Sequence, residues 1–219
     1  MAEGNGGVLS PDGRTVLFLS LDNPPRAMLV PTGTGEPRTI ALEGVSSGLD
    51  PGFLPDAQGF VFVARDRENR GRLFLQKLAG GPPALLLDRD LDTNPCSSLT
   101  PVSPDGRWAA VYAADGTLLI ADLQNGSARP LSPGEPGLGA LRFVADGRSL
   151  ILMRVGTPPG ALLRCDATDG ATTLLHELSP PDLAGVTLIA SAVATPDQRA
   201  YAYTFIRQMS ELYLIQGLK

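Results

Sequence analysis

The chain has 219 residues, 43% of them hydrophobic and 19% charged, with 18 Lys and Arg against 23 Asp and Glu for a net charge of −5. That length suits one domain with a buried core, because all-β domains often run to this size. The acidic balance and scattered arginines exclude a surface that tracks a nucleic-acid backbone, so no nucleic acid is expected as a partner.

Apolar runs end after about six to eight residues at Gly, Pro or a charge, short of the roughly 18 that a membrane helix needs, so no membrane insertion is expected. The first seven residues, Met1-Ala2-Glu3-Gly4-Asn5-Gly6-Gly7, hold neither a basic nor an apolar leader segment. This gives a cytoplasmic expectation, or a periplasmic one if a longer parent carries a signal. Cys96 and Cys165 make no CxxC pair, and His176 is the single histidine. No metal set or cofactor is expected from them.

From the N-terminus onward, one turn recurs: Pro11-Asp12-Gly13, Pro55-Asp56, Pro104-Asp105-Gly106, Ala145-Asp146-Gly147 and Pro196-Asp197. Successive aspartates are 44, 49, 41 and 51 residues apart. A period of this size marks an array of repeated supersecondary units. Proline presets the first corner, aspartate folds its carboxylate onto nearby backbone N–H groups, and glycine accepts a positive φ. These aspartates therefore have a structural role.

Each unit places a short strand before the turn and an alternating or β-branched strand after it. A loop, a third strand, a Gly-containing turn and a Leu-rich fourth strand follow. In unit two the strands fall near 52–54, 60–64, 72–77 and 84–87. Unit three gives 99–102, 108–113, 117–123 and 128–131, and unit four 140–144, 150–155, 161–166 and 172–177. Unit five supplies three, near 188–194, 201–206 and 212–216. Four-stranded units at this spacing predict an all-β fold, a β-propeller of about five blades whose last blade lacks its outer strand. The blades span approximately 5–43, 48–88, 97–132, 138–178 and 186–219 of a single domain. Trp108, the one tryptophan, is expected to pack between blades.

Charge concentrates in the loop holding Arg65, Asp66, Arg67 and Glu68, between the second and third strands of unit two. Its equivalents are Asp22, Asp115, Arg154, Arg207 and Gln208, and together they are the candidate binding-face residues. In the last blade Leu212, Tyr213, Leu214 and Ile215 are expected to form a strand with a free outer edge. Such an edge invites a protein partner or a second copy of the chain.

The strings LSPDGRTVLFLS, PVSPDGRWAAVY and RFVADGRSLILM resemble the TolB-like branch of propeller repeats, related to the WD-repeat class but without its Gly-His and Trp-Asp pairs. The C-terminal YAYTFIRQMSELYLIQGLK is similar to the terminal blade of propellers attached to bacterial serine/threonine protein kinases and winged-helix regulators, through Ser210, Leu212, Tyr213, Leu214, Gly217 and Leu218. No kinase motif is present. The resemblance implies a non-catalytic binding or scaffold module of a larger bacterial signalling protein. The alternative is a propeller enzyme or accessory, either lactonase-like or the gating domain of a prolyl-oligopeptidase-like hydrolase.

Overall fold

A computed structural model describes residues 7–48, 51–93, 100–195 and 197–210. It is all-β, and no helix occurs among the described residues. In blade one, β1 (Val8–Leu9), β2 (Thr15–Leu19), β3 (Arg26–Pro31) and β4 (Arg38–Ala41) pair in sequence order. Blade two opens on an inner strand in two pieces, β5 (Ser46–Gly48) and β6 (Gly52–Phe53), both paired to β7 (Gly59–Arg65). β8 (Gly71–Lys77) and β9 (Ala84–Leu87) complete it.

Blade three contains β10 (Trp108–Tyr112), β11 (Leu118–Asp122) and β12 (Ser127–Pro130). Its innermost position is marked by two isolated bridges, Leu91 to Ala113 and Val102 to Ala109. Blade four has β13 (Leu138–Phe143), β14 (Ser149–Arg154), β15 (Gly160–Asp166) and β16 (Thr172–Leu178). A fifth sheet holds β17 (Val186–Ala194) and β18 (Tyr201–Arg207). The segment expected to supply its third strand, with Leu212, Tyr213, Leu214 and Ile215, lies outside the described residues.

The period-2 alternation of each second strand sends its side chains to two neighbouring blades. In β7, Phe60, Phe62 and Ala64 meet Leu17, Leu19 and Leu29 of blade one, while Val61 and Val63 meet Ala109 and Val111 of blade three. Ala110 and Tyr112 then turn to Leu150 and Leu152 of blade four. On the far side of blade four, Ile151 and Met153 contact Ile189 and Ala192 of blade five. The core is thus four apolar slabs between consecutive blades. Among the described residues no such slab joins blade five to blade one.

The turn aspartates behave as the sequence predicts. In every copy an Oδ1 accepts the backbone N–H two residues on, from Arg14, Gln58, Arg107, Arg148 and Arg199 at 2.8–3.1 Å. Gly13, Gly106 and Gly147 sit at φ 71°, 70° and 66°. Where units two and five lack the glycine, Ala57 and Gln198 take the same left-handed position, at φ 53° and 60°.

Trp108 departs from expectation. It is only half-buried, packed against the slab between blades three and four, with the Arg107 guanidinium 4.5 Å from its ring centroid. As the first residue of β10 it sits at the rim of the blade, where one ring face is left to solvent and a cation covers it.

Candidate functional site

The inner strands converge on a cavity of about 500 Å³. Its walls come from four blades: Val8 and Leu9, Gly52 and Phe53, Thr100 to Ser103, and Leu141 to Phe143. The turn prolines Pro11, Pro55 and Pro104 form its rim, with Ala145 at the fourth position. Antiparallel alternation puts these turns at one end of the propeller and the loops between second and third strands at the other. The inner strands approach closely. A Cβ on Gly52 would lie 1.8 Å from the Thr100 carbonyl oxygen, so only glycine fits there.

Among its described lining residues the cavity wall carries one charged side chain, Arg142. It is half-buried next to a β-bulge in β13, which changes register between Ala140 and Arg142. Nη1 donates to the Ala194 carbonyl of blade five at 2.9 Å, and Nε to the Phe143 carbonyl at 3.5 Å. Burial pulls its pKa down, and no acid among the described residues offsets this. The guanidinium nevertheless remains cationic at neutral pH. Sequence reading missed this residue. A single Arg in RFVADG has no local signature, and its place on the cavity wall emerges only when blades four and five are set side by side.

At the opposite end the candidate loop residues form local ion pairs. Asp22 pairs with Arg26 at 2.6 Å, and that hydrogen bond holds its carboxyl below the ordinary range. Asp66 accepts the backbone N–H of Arg70 and Glu68 at 2.9 Å and pairs with the Arg70 side chain at 3.2 Å. Glu68 pairs with Arg70, and Arg65 donates to the Asn69 carbonyl at 3.0 Å. Arg67 lies against Gly44 in the connection from blade one. Beneath this loop Arg72, which is buried, reaches Asp90 at 2.6 Å and Asp88 at 2.9 Å.

Asp115 caps its own turn through the Thr117 N–H at 2.9 Å. Arg154 clamps Glu135 with bonds of 2.5 and 2.9 Å, and Arg207 reaches the Asp182 carboxylate at 3.2 Å. The Gln208 N–H donates to the Gly185 carbonyl at 2.8 Å. The structure gathers Arg65, Asp66, Arg67 and Glu68 in one loop. It leaves Asp22, Asp115, Arg154, Arg207 and Gln208 in separate gaps, with no hydrogen bond or ion pair joining two of these loops among the described residues.

Among the described residues blade five is anchored on its blade-four side. His176 of β16 stacks on Tyr201 of β18 with centroids 4.3 Å apart, and Ile189 exchanges backbone hydrogen bonds with Gly156. On its other face Val193 is 62% exposed and Ile206 50%. No group of His, Cys, Asp and Glu suited to a metal ion occurs among the described residues, and no helix there is long and apolar enough to cross a membrane.

No family model and no curated protein sequence matches the chain. Solved structures do. TolB from Acinetobacter baumannii aligns at TM-score 0.68 with 16% identity, over 94% of this chain and 55% of that one. A putative TolB from Agrobacterium tumefaciens aligns at 0.62 with 18% identity, over 84% and 64%. Hydrazine synthase from Kuenenia stuttgartiensis aligns at 0.63 with 16% identity, over 96% and 57%. The chain spans between 55% and 64% of the length of these structures. With its blade order and turn geometry, the likeness establishes the fold: this chain is a β-propeller of the kind seen in the TolB structures.

Proposed function

We propose that this chain is a non-catalytic propeller module for protein–protein interaction, and that its open end takes a second copy of the chain. The observation that carries the reading is the uncovered face of blade five. Val193 and Ile206 point away from blade four, and among the described residues no core slab joins this face to blade one. At the other end of the arc, Val16, Phe18, Met28 and Val30 occupy the face of blade one opposite Leu17 and Leu19, and all four are partly exposed. Four times within the chain, one blade's apolar face packs on the next. The two free faces are the missing halves of a fifth such contact, so a head-to-tail pairing of two copies continues an interface the chain already uses. Repeat arrays behave this way when their terminal units are not capped. Exposed apolar patches of this kind mark interaction surfaces.

A scaffold role inside a larger bacterial signalling protein fits the same reading. The free, buried thiol of Cys165, pushed up to about 11 by burial, fits a reducing compartment such as the cytoplasm. Among the described residues, the wall of the central cavity contains no Asp, Glu or His.

Sedimentation velocity across micromolar to submillimolar concentration tests the proposal. The wild-type chain is expected to associate, and the Val193→Glu, Ile206→Glu double variant to stay monomeric with its fold intact. A wild-type chain that is monomeric throughout would refute self-association.

A further inference from the structure

We propose that the central cavity is a binding site for a small amphiphilic carboxylate, with the carboxylate on Arg142 and the apolar body against Leu9, Phe53 and Val102. Three observations lead there. First, the volume of about 500 Å³ falls in the range of small-molecule pockets. Second, its described walls are mainly apolar side chains and proline rings, with Thr100 and Ser103 as the neutral polar residues among them. Third, the one charge among the described lining residues is the Arg142 guanidinium, which no acid of the described residues neutralises. Of its five N–H donors, the Ala194 and Phe143 carbonyls engage two.

A half-desolvated cation without a counter-ion is costly, and a carboxylate with fork geometry offsets that cost better than water does. Arg142 also has little freedom to turn away, because its Nη1 is tied to blade five. The remaining guanidinium edge is therefore held in place, so less side-chain entropy is lost when an anion binds. The surrounding prolines and Phe53 add rigid apolar area that discriminates a ligand with a hydrocarbon body from formate or acetate.

The test is calorimetric titration with octanoate, octan-1-ol and octylammonium, with methyl chemical shifts of Leu9, Val102 and Leu141 followed by NMR. Octanoate is expected to saturate and to shift those methyls. The alcohol and the ammonium should bind at least about tenfold more weakly, as expected when a charge-assisted contact is lost. Arg142→Met, which keeps the aliphatic stem, should abolish the preference, and Arg142→Lys should retain part of it. If Arg142→Met fails to fold by circular dichroism, the head-group series on the wild-type chain decides the matter alone. Equal binding of octanoate and octanol, undiminished octanoate binding by folded Arg142→Met, or no saturable octanoate binding would each overturn the proposal. Arg142-dependent binding of a short peptide with octanoate silent would overturn the small-molecule assignment.

Discussion

The Pro-Asp-Gly turn shows how much a single position decides. Its third residue must adopt a left-handed backbone, which costs an L-residue about 1–2 kcal/mol and glycine nothing. Ala57 and Gln198 bear that cost at φ 53° and 60°. Replacing either with glycine removes the strain but adds about 0.5–1 kcal/mol of unfolded-chain entropy. Ala57→Gly and Gln198→Gly are each expected to raise stability by about 0.5 kcal/mol, read by urea denaturation. The same turns set a pH dependence. Hydroxyls of Ser10, Ser103 and Thr195 donate to Asp12, Asp105 and Asp197 and, with backbone N–H groups, hold these carboxyls below the ordinary 3.8. A depressed folded-state pKa contributes stability that is fully present above the unfolded value and is lost as pH falls through the folded one. Unfolding free energy should therefore hold steady down to about pH 5 and decline below about pH 4, less steeply in Asp105→Asn. The turns were legible in the sequence because their chemistry is local. Arg142 was not, since its meaning depends on Ala194, 52 residues away.

At the scale of elements, blades are joined by apolar slabs and by a few polar ties. Tyr112 of β10 is the clearest. Its hydroxyl donates to the Leu138 carbonyl at 2.8 Å and accepts the Ala140 N–H at 2.5 Å, so one side chain serves the backbone of the next blade. Tyr112→Phe would strip a partner from two buried backbone groups. An unsatisfied buried group costs about 1–3 kcal/mol, so a loss of about 2 kcal/mol is expected, seen as a lower thermal midpoint at unchanged far-ultraviolet dichroism. Strands β7, β8, β14, β15 and β16 were legible to within two residues, because alternation and flanking turns agree there. The inner strands were harder. Blade two's begins at Ser46, and the β5 register shift between Ser46 and Gly48 breaks the alternation from which strands are read. Trp108 was expected to pack largely between blades from its size and its place just after the turn, and it does touch the slab between blades three and four. Its place at the start of β10 puts it at the rim, where Arg107 shares its surface.

At the scale of the whole molecule, the described residues of blades two, three and four are covered on both faces and those of blades one and five on one. The period made the blade count legible, and the missing fourth strand of unit five pointed to a free edge, whereas an uncovered sheet face reads the same as a covered one until neighbours are placed. The Leu212–Ile215 segment expected to provide the free edge lies outside the described residues. The exposed side chains of β17 and β18 locate the open surface on the sheet's face. A head-to-tail contact is heterologous, so each copy keeps one free end and assembly grows unless its rotation closes a ring. Cysteine cross-linking probes this most directly. Chains carrying Val193→Cys are mixed with chains carrying Phe18→Cys, each in a background where Cys96 and Cys165 are replaced by serine and alanine. The account predicts that a short bis-maleimide links the two variants to each other far more than either to itself. Efficient linkage of Val193→Cys to its own kind, or an intramolecular link in a chain carrying both cysteines, would contradict it.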